Sequence, residues 1–96
     1  MKLRLVQFSL GPGRREAAEG VAETVVPLIR AQQGCERCEF FADHEKGDYG
    51  IVVIWSSEQA ANAAAGVVGP VLAKVVAEAK GVPAIRLFDV YEPRMN

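Results

Sequence analysis

The sequence predicts a single α+β domain over residues 1–96, with elements in the order strand, helix, strand, strand, helix, strand. Three observations lead to this prediction. Four short segments are rich in apolar residues, and the third is also rich in β-branched ones, which is typical of strands. Two longer segments are typical of helices: the first carries apolar residues at spacings of three and four, and the second is alanine-rich after a capping box. Half of the residues are hydrophobic and 24% are charged, which is the balance of a packed globular chain.

The first three elements follow from changes of period along residues 3–43. Residues 3–10 (LRLVQFSL) alternate between two faces and end at a Gly-Pro-Gly turn, so they are predicted as the first strand. The next segment has helical spacing from Arg14 onward; we expect Pro27 to kink its last turns and Gly34 to end it. Residues 35–43 (CERCEFFAD) are predicted as the second strand, followed by a polar hairpin loop.

The third strand is predicted over residues 49–55 (YGIVVIW), whose nearly unbroken apolarity indicates that both of its faces are covered. Ser56 and Gln59 then form a capping box, which predicts the start of a second helix. Three residues that interrupt helices follow within this alanine-rich segment: Gly66, Gly69 and Pro70. We therefore expect two helical pieces, the second over residues 70–80.

The last strand is predicted over residues 84–91 (AIRLFDVY), with residues 92–96 as a short tail. The complete order is the ferredoxin-like β-α-β-β-α-β plan, in which both helices cover one side of a four-stranded antiparallel sheet. The other side of such a sheet is bare, although the third strand is apolar on both faces. We therefore expect a homodimer that pairs through the sheet face, each chain forming half of a dimeric α+β barrel.

Charge and hydropathy narrow the partners and the compartment. Eleven basic and twelve acidic residues give a net charge of −1, which argues against nucleic acid or an anionic membrane as the main partner. No stretch approaches the roughly eighteen apolar residues of a membrane span. Residues 1–5 alternate with charge, unlike the apolar region of a signal peptide. We expect a cytoplasmic protein.

Cys35 and Cys38 have the Cys-x-x-Cys spacing of some redox and metal sites. On a regular strand, positions three apart point to opposite faces about 10 Å apart, which is too far for a disulfide. A zinc site needs more ligands than one histidine and these two cysteines provide. We expect structural thiols and no bound metal. His44 is expected to be solvated in the hairpin loop, with a catalytic role as the alternative.

Three stretches carry a family resemblance: residues 11–16 (GPGRRE), the helix end P-x-x-x-A-x-x-G-C over residues 27–35, and V-I-W-x-S-x-x-A over residues 53–60. Together with the element order they resemble the antibiotic biosynthesis monooxygenase family of dimeric α+β barrels. The resemblance covers nearly the whole chain, and the tryptophan followed by a capped helix is its most specific part.

The resemblance implies a monooxygenase that acts without a cofactor on an aromatic or quinol-type small molecule. In such members the pocket lies between the sheet and the helices, and a tryptophan at the position of Trp55 lines it. Haem-degrading members carry an asparagine in the first strand and an iron-binding histidine on the second helix. Here Gln7 takes the first position, and residues 67–74 (VVGPVLAK) contain no histidine. We therefore do not expect haem degradation.

Four side chains are candidates for a substrate pocket, with no catalytic role assigned to any: Gln7, Trp55, Asp89 and Tyr91. The first and third strands are neighbours in the predicted sheet, so we expect Gln7 to lie close to Trp55. The Gln7 amide suits a carbonyl or phenolate, and the Trp55 indole suits an aromatic ring and its oxygen. Asp89 or Tyr91 would relay a proton. The alternative is that all four are structural, with Trp55 filling the core.

Two functions therefore stay open. One is the cofactor-independent monooxygenase; the other is a non-catalytic dimeric module that binds a small hydrophobic metabolite or serves a structural or stress-related role. A cavity beneath the second helix smaller than about 300 Å³ would favour the second function, because typical ligand pockets are larger.

Overall fold

The computed structural model describes residues 1–91 and has the predicted order of elements. These are β1 (Lys2–Ser9), α1 (Arg15–Arg30), β2 (Cys35–Asp43), β3 (Asp48–Trp55), α2 (Glu58–Val75) and β4 (Ala84–Asp89). The strands form one antiparallel sheet in the order β2-β3-β1-β4, which confirms the ferredoxin-like plan. The fourth strand ends at Asp89, two residues before its predicted end. The predicted tail lies outside the described residues.

The two faces of the sheet differ in what covers them. On the face that packs against the helices, called the covered face, Val6 and Phe8 of β1 are 4% and 6% exposed. Their partners in β3 are Ile51 and Tyr49, which are also buried. The alternate positions point to the other side, called the open face, which carries Leu3, Leu5, Gln7, Phe41, Val52, Ile54 and Phe88.

Helix α1 packs five buried side chains against the sheet: Ala18, Val21, Val25, Val26 and Ile29. Glu16 in its first turn and Arg30 in its last turn complement the helix dipole. The helix continues through Pro27 and ends at Arg30, earlier than the predicted end. Gly34 then leads into β2 with a φ of 89°, where a Cβ atom would approach Ala60 Cβ to 2.5 Å. Glycine is therefore required at this turn.

Helix α2 corrects two predictions. Its N-cap is Ser57, whose hydroxyl accepts from the Ala60 N–H at 3.1 Å, so the expected cap at Ser56 is wrong by one residue. The helix also runs unbroken from Glu58 to Val75, so the expected division into two pieces at Pro70 is wrong. Burial of Ala61, Ala64, Val68 and Leu72 along one side of α2 outweighs the low helix propensity of the interrupting residues.

A β-bulge near the start of β2 corrects the prediction for the cysteines. Cys35 pairs with Trp55 but Arg37 pairs with the next residue of β3, so two residues of β2 face one residue there. The extra residue brings Cys38, which pairs with Val53, onto the same face as Cys35. The expectation that they point to opposite faces is therefore wrong. Both thiols are free, and burial raises the pKa of the Cys38 thiol to about 11.

Aromatic side chains fill the end of the covered face that lies near the β2–β3 hairpin. The rings of Phe8, Phe40 and Tyr49 pack with centroids 5.9 to 6.4 Å apart. The Tyr49 hydroxyl lies 3.2 Å from Nδ1 of His44, which is exposed as expected but also packs against the Tyr49 ring. We call Phe8, Phe40, Tyr49 and His44 the filled end. In the described part of the chain, no helix is both long enough and apolar enough to cross a membrane.

Candidate functional site

A cavity of about 250 Å³ lies between α2 and the other end of the covered face, and we call it the α2 cavity. Its sheet side consists of Arg4, Val6, Ile51, Val53, Trp55 and Ile85. Its helix side includes small residues of α2, among them Ala64, Ala65 and Gly69. Because small side chains leave space beneath the helix, the cavity follows from the alanine and glycine content of α2.

The size of the α2 cavity limits its ligand. Its volume is below about 300 Å³, the lower end of typical ligand pockets. This small volume favours the non-catalytic module over the monooxygenase. A groove of about 420 Å³ adjoins the cavity and shares Gly69, Leu72 and Ile85 with it. A compact ligand therefore fits the cavity, and a longer one would extend into the groove.

Trp55 ends β3 and lies in the wall of the α2 cavity, as the family resemblance implied. Its side chain is only 2% exposed, and its indole Nε1 is buried with no hydrogen-bond partner among the described residues. A buried donor without a partner costs about 1–3 kcal/mol, so such groups are rare in structural cores. An acceptor atom of a bound ligand would satisfy this N–H.

Arg4 on β1 is a second polar residue of the cavity and was not among the predicted site residues. Its Nη1 donates to the Ala61 carbonyl at 3.3 Å, but its Nε is buried without a partner within residues 1–91. Its position in the sequence carried a usable signal. Arg4 alternates in phase with the buried Val6 and Phe8, so a charged residue falls on the inward face of a strand.

Gln7 lies away from Trp55, so the expectation that they are near neighbours is wrong. Gln7 pairs with Gly50, whereas Trp55 pairs with Lys2 at the other end of β1. The antiparallel register explains the separation, because the end of β3 meets the start of β1. Gln7 also points to the open face, where it lines a separate groove.

Asp89 and Tyr91 also lie outside the lining of the α2 cavity. Asp89 forms an ion pair with Lys2, which also contacts Glu58 at 3.1 Å. The hydrogen bond from Lys2 lowers the pKa of the Asp89 carboxyl, so it stays ionised near neutral pH. Tyr91 is 82% exposed. Of the four predicted residues, the α2 cavity therefore contains Trp55, and the structure adds Arg4.

Metal ligands do not gather anywhere in the described part of the chain, where no three His, Cys, Asp or Glu side chains form a group able to hold an ion. Neither Cys35 nor Cys38 lines the α2 cavity. The polar chemistry of the cavity therefore comes from two hydrogen-bond donors, Arg4 and Trp55.

The fold agrees with the comparisons to known proteins. A family model described as antibiotic biosynthesis monooxygenase matches residues 1–66, about two thirds of the chain. The chain therefore belongs to the antibiotic biosynthesis monooxygenase family, as its motifs predicted. No curated protein matches the sequence closely enough to count as a relative.

Solved structures share the fold at low sequence identity. A crystal structure described as an antibiotic biosynthesis monooxygenase is 15% identical, with a TM-score of 0.80 over 96% of this chain and 100% of that one. SnoaB, a cofactor-independent oxygenase from Streptomyces nogalater, is 16% identical as its N63A mutant, with a TM-score of 0.78 over 96% and 94%. A protein of unknown function from Nitrosomonas europaea, NE2512, is 15% identical, with a TM-score of 0.80 over 99% and 93%.

Proposed function

We propose that this protein is a monooxygenase that oxidises a compact aromatic or quinol-type molecule with molecular oxygen and without a cofactor. The observation that carries the proposal is the indole N–H of Trp55, which has no partner among residues 1–91 and lies in the wall of an otherwise mostly apolar cavity. Membership of the monooxygenase family supports it, and so does the similarity in fold to a cofactor-independent oxygenase.

In the proposed reaction the substrate itself supplies the electrons. An activated CH₂ group between aromatic rings loses a proton, and the resulting anion gives one electron to O₂. The substrate radical and superoxide combine to form a C–O bond, and protonation gives a hydroperoxide. Loss of the remaining C–H proton and cleavage of the O–O bond then give a ketone and water. The balance is R₂CH₂ + O₂ → R₂CO + H₂O.

The protein's share in this reaction is binding, orientation and charge stabilisation. The apolar walls exclude water from the reactive anion, and the Trp55 ring forms part of these walls. Its N–H donates to the substrate oxygen on which the negative charge is delocalised. No carboxylate or imidazole is among the described lining residues, so the proposal relies on the acidity of the substrate for the first proton.

The alternative is a non-catalytic module that binds a small hydrophobic metabolite. The cavity volume of about 250 Å³ and a lining without carboxylate or imidazole favour it. Under this alternative the Trp55 N–H holds a ligand oxygen but no oxidation follows, so binding without oxygen consumption distinguishes the two functions.

Oxygen uptake with anthrone-type and dihydroxynaphthalene compounds tests the proposal, with spontaneous oxidation subtracted. The wild-type protein should consume oxygen, and ¹⁸O₂ should place one labelled atom in the product. Trp55→Phe keeps an aromatic ring but removes the donor, and it should lower turnover about 100-fold. Val67 on α2 is 49% exposed, so Val67→Ala is the control and should not change the rate. Equal turnover by Trp55→Phe, or no turnover with any compound, contradicts the proposal.

We also propose that a second copy of the chain covers the open face. Leu3, Leu5, Val52 and Ile54 there are only partly buried within one chain, and Phe41 is 40% exposed. Pairing of two open faces would bury these side chains in a two-fold interface. Light scattering at micromolar concentration should give twice the chain mass of 10.4 kDa, whereas a particle of 10.4 kDa contradicts the dimer.

A further inference from the structure

Arg4 lines the α2 cavity, and no acidic side chain among residues 1–91 forms an ion pair with it. We propose that the cavity selects ligands with a negatively charged oxygen and that Arg4 is the residue that selects them. The inference rests on the proposed function, because it specifies the ionised form of the same substrate. Arg4 would determine which charge the bound ligand carries, whereas the proposed reaction is the oxidation of that ligand by O₂.

The position of Arg4 supports this role. It is on the covered face between the sheet and α2, in phase with buried apolar residues, and its Nε has no partner. The stem of an arginine at such a position packs on apolar neighbours while its head seeks polar atoms. The only polar contact of its head within residues 1–91 is the neutral Ala61 carbonyl at 3.3 Å, which does not balance a charge.

The other basic residues of this region make the contrast clear. Lys2, two residues earlier on the same face, contacts both Asp89 and Glu58. Arg30 lies 4.0 Å from Glu39 across α1 and β2. None of the ion pairs in the described chain includes Arg4. A charged group lined by apolar side chains interacts strongly with an opposite charge, because little water screens the pair.

Arg4 and Trp55 are placed to act on one ligand. Arg4 pairs with Val53, and Trp55 lies two positions further along β3 on the same face. Such diagonal neighbours have Cβ atoms roughly 7–8 Å apart, within reach of two long side chains. Their unpartnered N–H groups therefore suit one oxygen, or two oxygens of the same group. Since both groups donate, the ligand must supply acceptors.

The chemical class of the ligand follows from these features. It is a compact aromatic molecule ionised as a phenolate or enolate, because the apolar walls accept rings and the two donors accept an oxyanion. The same anion is the form that transfers an electron to oxygen in the proposed reaction. Arg4 would favour the ionised form and so lower the pKa of a bound phenol. Neutral analogues of the same shape would lose this interaction.

Calorimetric titration without oxygen tests the inference separately from turnover. The probes are 2-naphthoate, whose carboxylate stands in for the phenolate, and 2-naphthamide, which is neutral and of similar shape. Wild-type protein should bind 2-naphthoate at least about tenfold more tightly than the amide. Arg4→Met should weaken 2-naphthoate binding by about 10- to 100-fold and leave amide binding unchanged. Arg4→Lys should keep part of the preference, since it keeps the charge but not the fork of donors.

Arg15→Gln is the matched control, because its side chain is 68% exposed on α1 and it should bind like wild type. Equal affinities of wild-type protein for both probes would overturn the inference, as would a preference that persists in Arg4→Met or no binding of either probe. Its failure is distinguishable from failure of the proposed function. If the protein prefers the anionic probe but consumes no oxygen, the role of Arg4 is supported and the proposed monooxygenase activity is contradicted. If it consumes oxygen but does not prefer the anionic probe, the monooxygenase activity is supported and the role of Arg4 is contradicted.

Discussion

The two ends of the covered face lie on the same strands but differ in side-chain packing and in the pairing of their polar groups. At the filled end, Phe8 and Tyr49 pack against Phe40, and the Tyr49 hydroxyl meets His44. At the other end, Arg4 and Trp55 line the α2 cavity, and Arg4 Nε and Trp55 Nε1 have no hydrogen-bond partner among residues 1–91. Stable cores fill space and pair their polar groups. The difference therefore separates a structural end from an end suited to binding.

The contrast has its origin in the residues that lie above and beside the sheet. Three aromatic rings occupy the filled end, whereas small residues of α2 such as Ala64, Ala65 and Gly69 cover the α2 cavity. Side-chain alternation along β1 and β3 continues unchanged through both ends. Residue size in the covering layer, rather than a change of backbone, thus creates the space.

The largest effect is expected from a truncation at the filled end. Phe8→Ala should lower the free energy of unfolding by about 3–5 kcal/mol, because it leaves a void among packed rings. Urea denaturation followed by circular dichroism measures the loss. Val67→Ala on the exposed side of α2 is the control and should stay within about 0.5 kcal/mol of wild type. A loss below about 1 kcal/mol for Phe8→Ala would break the distinction between the two ends.

Removing the hydroxyl at the filled end should have a smaller effect. Tyr49→Phe keeps the ring but removes the contact with His44 Nδ1, so the free energy of unfolding should fall by about 0.5–1.5 kcal/mol. The same denaturation experiment on His44→Ala, alone and combined with Tyr49→Phe, measures the coupling between the two side chains. If the double variant loses the sum of the two single losses in free energy of unfolding, the Tyr49 hydroxyl does not interact with His44. The hydrogen bond at the filled end would then be contradicted.

The opposite sign is expected at the α2 cavity. Arg4→Met removes a partly buried charge that has no acidic partner in the described part of the chain, and it keeps an apolar stem. The free energy of unfolding should therefore be unchanged or rise by up to about 1 kcal/mol. Thermal and urea unfolding of the ligand-free protein provide the measurement. A clear loss in the free energy of unfolding would show that Arg4 stabilises the fold. Arg4 and Tyr49 would then both be structural, and the two ends of the covered face would not differ in this respect.

The smallest effect concerns two glycines of α2. A methyl group added at Gly66 or Gly69 meets no heavy atom within 4 Å beyond the chain neighbours and the helix's own backbone. Gly66→Ala should therefore stabilise the helix by about 0.5–1 kcal/mol. Gly69→Ala should stabilise it less, because a Cβ before Pro70 crowds the proline ring. Gly69 lines the α2 cavity and Gly66 does not. Only Gly69→Ala should therefore weaken binding of 2-naphthoate. Equal binding by both variants would place the ligand elsewhere.

Much of the fold was predictable because periodicity is a local property of the chain. The alternation in β1 and the helical spacing in α1 identified both elements and their buried sides. The continuity of α2 through Pro70 was not predictable, since burial of Val68 and Leu72 against the rest of the fold decides it. The bulge after Cys35 also depends on pairing between strands, which no single segment specifies.

The site was predicted in part for similar reasons. Trp55 was found from its place before a capped helix, a local pattern that the family shares. Gln7 was grouped with it because neighbouring strands were inferred without their register, and the register separates the two. Arg4 was not among the predicted site residues. Its phase with Val6 was visible in the sequence and indicates an inward position.

The central claim is that the α2 cavity binds an anionic ligand through Trp55 and Arg4. Trp55 is the only tryptophan of the chain, so its indole N–H gives a single signal in a ¹H–¹⁵N spectrum. Addition of 2-naphthoate should move this proton signal downfield in the wild-type protein, as expected for a new hydrogen bond, and should move it less in Arg4→Met. An indole signal that stays in place while 2-naphthoate saturates the protein would contradict the claim.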